Sequence, residues 1–223
     1  MTRLLKRIGA IGDVHAEDDA LASVLDFFGN QRLETIVCVG DVVDGYGDAG
    51  RCVRLLRDHD VQVVRGNHER WWIEGSHRNV QGPTGMLPPE ETAYLSRLPT
   101  CLELETVLGP CMLCHGIGED DMAVLYPETR GYGLQAIRGL RGLICREDLS
   151  LLIGGHTHQR MVRVLDGLTV INVGTLHRDF EPSCTILDFA ERRVFHHSVA
   201  PPYGCLEEEP LPPCRTCLSC AEE

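Results

Sequence analysis

The pattern of this 223-residue chain predicts an α/β fold, a four-layer α/β/β/α sandwich of two mixed sheets. Three observations carry that expectation. Short β-branched apolar runs alternate with amphipathic helical stripes up to residue 64, the signature of β-α-β-α-β. From about residue 100 onward the pattern turns to hairpins. A mixed sheet covered by helices on one face must bury its other face, and a second sheet built from the later half does so.

Each element has its own warrant. Arg7-Ile8-Gly9-Ala10-Ile11 reads as a buried strand. Leu21, Val24, Leu25 and Phe28 follow at i, i+3, i+4 and i+7 behind a cap at Asp18 or Asp19, which makes a helix. Thr35-Ile36-Val37-Cys38-Val39 is the second strand, and Ala49, Cys52, Val53 and Leu56 repeat the helical stripe before the third strand at Val61-Gln62-Val63-Val64. Right-handed crossovers make these strands parallel and bring their carboxyl ends to one edge. Pro88 and Pro89 open a short helix expected over residues 88–98. Cys111-Met112-Leu113-Cys114 and residues 149–153 are further strands. Asp166-Gly167 joins residues 161–165 to 168–173 as a hairpin, and residues 184–189 and 194–197 flank another turn. Residues 70–87, holding both tryptophans, and residues 117–133 read as long loops, either lids or plain connections.

Composition narrows the function. At 43% hydrophobic, the chain supports one domain, expected over residues 1–200, followed by a Cys/Pro/Glu-rich tail over 201–223. The formal charge of −12 repels polyanions, so nucleic acid is a disfavoured partner. No stretch reaches the roughly 18 to 20 apolar residues of a membrane span, and the start of the chain lacks secretory character. A soluble, cytoplasmic protein is expected; the oligomeric state is left open. Of the eleven cysteines, Cys38 and Cys52 fall on apolar stripes and read as core. Cys205, Cys214, Cys217 and Cys220 have spacing near that of a metal site, with a disordered appendage as the equal alternative. Cys111-x-x-Cys114-His115 spells a haem-attachment signature, set aside because its thiols sit on a strand and attachment requires export.

Five motifs recur in order, each after an expected strand: Gly12-Asp13-Val14-His15, Gly40-Asp41-Val42-Val43-Asp44, Gly66-Asn67-His68-Glu69, His115-Gly116 and Gly155-His156-Thr157-His158. They offer carboxylates, imidazoles and one amide, the mixed O and N donors that suit borderline divalent ions. Six or seven such donors exceed the need of one tetrahedral ion, and a carboxylate in the second motif could bridge two. Two cations held roughly 3.5 to 4 Å apart by a shared carboxylate acidify a shared hydroxide, the nucleophile of a dinuclear hydrolase.

These motifs together resemble the calcineurin-like metallophosphoesterase superfamily, over about residues 8 to 190. Gly155-His156-Thr157-His158 followed by Ile171-Asn172-Val173-Gly174-Thr175 is similar to its small bacterial and archaeal phosphodiesterase branch, with Val173 and Thr175 where that branch usually has proline and serine. The resemblance implies that Asp13, His15 and His158 hold one metal, that Asn67, His115 and His156 hold the other, and that Asp41 bridges. Manganese is the expected ion, with Fe, Zn or Ni as alternatives. His68 becomes the general acid or an imidazolium that neutralises a phosphate oxygen, Asp44 either orients it or bonds nearby backbone at a loop start, and Asn67 and Arg178 are substrate contacts. Arg178 has a surface ion pair with Asp179 or Glu181 as its alternative reading. Trp71 and Trp72 either stack an aromatic leaving group or pack the loop, packing being the stronger reading. Among the remaining histidines, His177 is the one singled out for testing. The expected reaction is hydrolysis of a small phosphoester, a diester before a monoester. A Ser/Thr protein or nucleotide phosphatase and a non-catalytic metal-binding scaffold are the rival readings.

Overall fold

The computed structural model describes residues 4–199 and 204–212. Its first sheet runs β11-β10-β9-β1-β2-β3. In chain terms these are β1 (Arg7–Ile11), β2 (Thr35–Cys38), β3 (Gln62–Val63), β9 (Ser183–Asp188), β10 (Arg193–Ser198) and β11 (Cys205–Pro210). The pairs β1/β2 and β2/β3 are parallel, with Ile8 opposite Thr35, and β9, β10 and β11 add antiparallel strands. The second sheet orders β4 (Cys101–Thr106), β5 (Gly109–Cys114), β6 (Leu151–Gly154), β8 (Leu168–Asn172) and β7 (Met161–Leu165). Both sheets are mixed, as the sequence predicts.

Side-chain alternation explains why two sheets stack. In β5, Cys111 and Leu113 point into a core shared with Ile8, Ala10 and Val37 of the first sheet, whereas Met112 and Cys114 point the other way. Leu151 and Ile153 of β6 likewise face the first sheet while Leu152 faces outward. On the first sheet's outer face, α1 (Asp18–Gly29) buries Leu21, Val24, Leu25 and Phe28, and α2 (Ala49–Asp58) buries Cys52, Val53 and Leu56. The Asp48 carboxylate caps α2 by accepting from the Arg51 N–H at 2.8 Å. Two short helices, α5 (Gly131–Gln135) and α6 (Leu140–Ile144), cover the second sheet, and Leu140 reaches its outer core. Three apolar layers therefore separate four structural layers.

Several boundaries differ from the sequence reading, three of them with a consequence for the fold. Residues 70–74 belong to α3 (Asn67–Glu74) and not to a loop. Its fully buried residues are Asn67 and Glu69, both polar, and Trp72 alone packs on the core, too little for an apolar stripe. The helix expected over residues 88–98 is α4 (Pro89–Leu95). The segment expected as a separate tail from residue 201 supplies β11, so the first sheet extends to residue 210. Cys205 is exposed on that strand; Cys214, Cys217 and Cys220 lie outside the described residues. The Asp166-Gly167 hairpin turn forms as expected, both residues at positive φ (47° and 90°). Cys38 and Cys52 are fully buried, and Cys111 and Cys114 lie buried as free thiols on β5.

Candidate metal centre

The carboxyl ends of β1, β2 and β3 deliver Asp13, His15, Asp41, Asp44, Asn67 and His68, and those of β5 and β6 deliver His115, His156 and His158. Backbone bonds knit the loops together. His15 N–H donates to Asp41 O at 2.7 Å, Ala16 N–H to Val42 O at 2.9 Å, and Gly155 N–H to His115 O at 2.8 Å. The two sheets meet where the Asp13 carboxylate accepts the His156 backbone N–H at 3.0 and 3.1 Å. Close approach makes glycine necessary at two points. A Cβ on Gly66 would collide with Asp41 Oδ1, and one on Gly155 would lie 2.9 Å from Asp13 Oδ1.

The tautomers of the two most buried imidazoles follow from their partners. His15 Nδ1 lies 2.9 Å from Asp44 O and His115 Nδ1 lies 2.8 Å from Val39 O. A carbonyl only accepts, so each Nδ1 carries the hydrogen and each neutral ring presents a lone pair at Nε2. His15 Nε2 then sits 3.1 Å from His158 Nε2 and 3.9 Å from Asp41 Oδ2. His115 Nε2 sits 2.9 Å from Asn67 Oδ1, 3.2 Å from His156 Nδ1 and 3.2 Å from Asp41 Oδ2. Acceptors converge on acceptors, an arrangement that a positive charge resolves and that fits borderline divalent cations. Two compact donor groups emerge, His15 with Asp41 and His68, and Asp41 with His115 and His156. Asp41 belongs to both. Its Oδ1 accepts the His68 backbone N–H at 2.9 Å, which leaves Oδ2 facing the two imidazoles. Asp13 lies at the back of the cluster, its Oδ2 3.8 Å from His158 Nε2.

The electrostatics divide this cluster. Burial pushes His15 down to about 4, and burial with the neighbouring His15 pushes His158 down to about 3, so both stand neutral at pH 7. Burial also works against charge on His115, but the carboxylates of Asp41 and Asp13 outweigh it and push the imidazole up to about 10. Asp13 rises to about 7 through burial and the nearby Asp41, with His115 opposing. Asp41 is buried as well, yet His115, His68 and His15 hold it below the usual carboxylate range.

Beside the cluster, His68 Nδ1 lies 2.9 Å from Asp44 Oδ2. Arg78 clamps the same carboxylate from Nη1 and Nη2 at 2.8 and 2.7 Å, and the Thr84 N–H donates to it at 2.8 Å. Burial opposes ionisation of Asp44, but His68 and Arg78 bring it down to about 2. Burial likewise opposes charge on His68, and the Asp44 hydrogen bond reverses that and raises it above the ordinary imidazole value. Arg178 meets neither Asp179 nor Glu181. Its Nε and Nη2 each donate at 2.7 Å to the buried Glu17 carboxylate, which also accepts the Arg178 backbone N–H. Trp72 packs against the first core and donates Nε1–H to Gly85 O, whereas Trp71 lies with its ring 4.9 Å from that of His68.

Glu69 is the residue whose importance the motif reading passed over. Its buried carboxylate accepts four backbone N–H groups, from Asp41 (2.9 Å), Val42 (2.6 Å), Val43 (3.0 Å) and Gly66 (2.9 Å). It thereby shapes the whole Gly40–Asp44 loop. The available signal was its place three residues after Gly66, the spacing of a capping box.

Comparison with known proteins settles the family at this point: residues 7–192 match the calcineurin-like phosphoesterase superfamily domain. The chain belongs to that superfamily. A metallophosphoesterase of Sphaerobacter thermophilus shares the fold at a TM-score of 0.61 and 25% identity, over 88% of this chain and 89% of that one. YfcE, a phosphoesterase of E. coli, matches in fold at a TM-score of 0.59 and 16% identity, over 92% of this chain and all of its own. An uncharacterised protein of Methanocaldococcus jannaschii is 41% identical over 63 residues, which is 28% of this chain and 26% of that protein's length. Bacterial phosphoesterases thus share this chain's fold, and its domain is that of the calcineurin-like phosphoesterase superfamily. Among the described residues no helix is long and apolar enough to cross a membrane.

Proposed function

We propose that the protein is a dinuclear metal-dependent phosphoesterase whose preferred substrates are small phosphodiesters, with phosphomonoesters second. The observation that carries the reading is Asp41 Oδ2, which faces His15 Nε2 on one side and His115 Nε2 on the other and so belongs to two donor groups at once. Asp13, His15 and His158 would hold one divalent cation, Asn67, His115 and His156 the other, and Asp41 both, with Mn²⁺ the expected ion. When bound, such a pair supplies an acidified water for in-line attack on phosphorus and offsets charge on the phosphoryl oxygens.

The protein's own groups account for the remaining chemistry. His68 leans on Asp44 through Nδ1, which leaves Nε2 as the atom from which a proton passes to the departing alkoxide. Asp44 favours the imidazolium that this transfer needs, and Arg78 and Thr84 fix Asp44 in turn. The charge balance supports diesters. Each arginine around the site is already matched by a carboxylate: Arg70 by Asp121, Arg78 by Asp44 and Arg178 by Glu17. A monoester dianion gains little from guanidinium groups so neutralised, while a diester carries one charge fewer. The test is turnover of an aryl phosphodiester and an aryl phosphomonoester by Mn²⁺-loaded protein. Faster diester hydrolysis, abolished by chelation and by Asp41→Asn, is expected; hydrolysis that persists after chelation contradicts the reading.

A further inference from the structure

One imidazole beside the cluster has no part in the donor groups. His177 sits with its ring centroid 5.0 Å from that of His15 and 6.0 Å from that of His158, the latter pair nearly parallel at 28°. Phe180 and Tyr46 flank it at 5.4 and 6.2 Å. Its proton position follows from a single contact. His177 Nδ1 accepts the Asp179 backbone N–H at 3.2 Å, so Nδ1 holds a lone pair and the neutral ring carries its hydrogen on Nε2. An imidazole in that state cannot ligate a cation through Nε2. It can donate a hydrogen bond from Nε2–H, and no described residue receives one.

The backbone around His177 is fixed on both sides. Thr175 Oγ1 accepts the His177 N–H at 3.0 Å while donating to Asp13 O at 2.8 Å, and Leu176 N–H also donates to Asp13 O, at 2.9 Å. On the other side Arg178 is tied to Glu17 by three hydrogen bonds. His177 therefore moves with Asp13, one of the candidate ligands, and its donor is set in place before any substrate arrives. Arg178, the cation expected at this point of the chain, is engaged elsewhere.

We propose that His177 is a substrate-positioning residue, its Nε2–H donating to a non-bridging phosphoryl oxygen in the role the sequence suggests for Arg178. The inference rests on the phosphoester reading of the site and adds to it a protein donor that holds no metal. A hydrogen bond from a neutral donor to an anionic oxygen in a partly buried site corresponds to about 10-fold to 100-fold in binding.

The experiment uses full-length Zn²⁺-loaded protein and inorganic phosphate as the probe. Long-range proton–nitrogen NMR of the His177 ring should show the Nε2–H tautomer, with the Nε2 resonance moving on addition of phosphate. His177→Phe, which keeps the ring packing, should bind the same amount of zinc as the wild type by elemental analysis. Its phosphate affinity and its kcat/KM on an aryl phosphodiester should both fall about 10-fold to 100-fold, and His177→Gln, which restores an N–H donor, should recover part of the loss. Zinc lost in His177→Phe would make His177 a ligand and overturn the proposal. So would an Nδ1–H tautomer, a wild type that does not bind phosphate, or phosphate affinity unchanged in His177→Phe. An active enzyme indifferent to the Phe substitution defeats this proposal alone, whereas a wild type inert toward every phosphoester defeats the functional reading beneath it.

Discussion

The imidazoles on the two sides of Asp41 are set by different forces, His15 and His158 on the outer side and His115 on the inner. Around His15 and His158 burial dominates, and both imidazoles are held neutral, already in the form a cation requires. Around His115 the carboxylates dominate, and the ring is pushed up to about 10. The difference is one of position. His115 lies within 3.3 Å of Asp13 and 3.2 Å of Asp41, whereas His15 Nε2 is 3.9 Å from Asp41. A carboxylate at hydrogen-bond distance overrides burial at His115, whereas its neighbour His156 stays lowered by burial and by the charge of His115.

The largest effect should come from removing what the halves share. Asp41→Asn takes one charge from both groups, and a fall in kcat/KM of about 10³-fold, equivalent to about 4 kcal/mol, is expected together with loss of tight binding of both ions. Isothermal titration with Zn²⁺ measures the second part. Next come the halves themselves. His115→Ala and His158→Ala should each leave one ion bound, and the inner variant should also lose more thermal stability, because it leaves Asp13 and Asp41 buried without their counter-charge. Equal melting temperatures for the two variants would erase the asymmetry.

A smaller effect sharpens the role of the flanking carboxylate. Asp44→Asn should lower kcat by about 10² and cost about 2 kcal/mol of stability at neutral pH, while metal content stays as in the wild type. Its pH dependence has a definite sign. Asp44 is brought down to about 2 from 3.8, so its contribution is fully present above pH 4 and disappears as pH falls through about 2. The difference in stability between wild type and Asp44→Asn should therefore close at the acid end, as followed by denaturant unfolding. Smallest of all should be Arg178→Gln. Half of the Arg178 side chain is exposed, and its partner Glu17 holds no candidate metal ligand. A change in kcat/KM of less than about threefold is expected; a loss as large as that of His177→Phe would return Arg178 to the substrate.

Much of this was written in the residues. The unbroken apolar run Cys111-Met112-Leu113-Cys114 marked β5 as a buried strand, and the order of the five motifs brought the strand ends together in space. What the sequence hid was polar and conformational. His15, Asp41, Asp44, His156 and His158 all adopt positive φ, between 46° and 68°, a backbone state that no side-chain pattern announces. Contacts far apart in the chain hold them there, such as Glu69 accepting from residues 41 to 43. The helix α3 was invisible because its buried face is Asn67 and Glu69, and periodicity sees only apolar faces. The partner of Arg178 was misread for a related reason. Glu17 lies 161 residues away, and nearby Asp179 and Glu181 offered a shorter answer.

Anomalous diffraction from crystals soaked in Mn²⁺ would locate the cations and show which of them Asp41 touches. Two peaks are expected about 3.5 to 4 Å apart, one against Asp13, His15 and His158, the other against Asn67, His115 and His156, with an Asp41 oxygen bonded to both. A single peak, or two ions with Asp41 bound to neither or to only one, would contradict it.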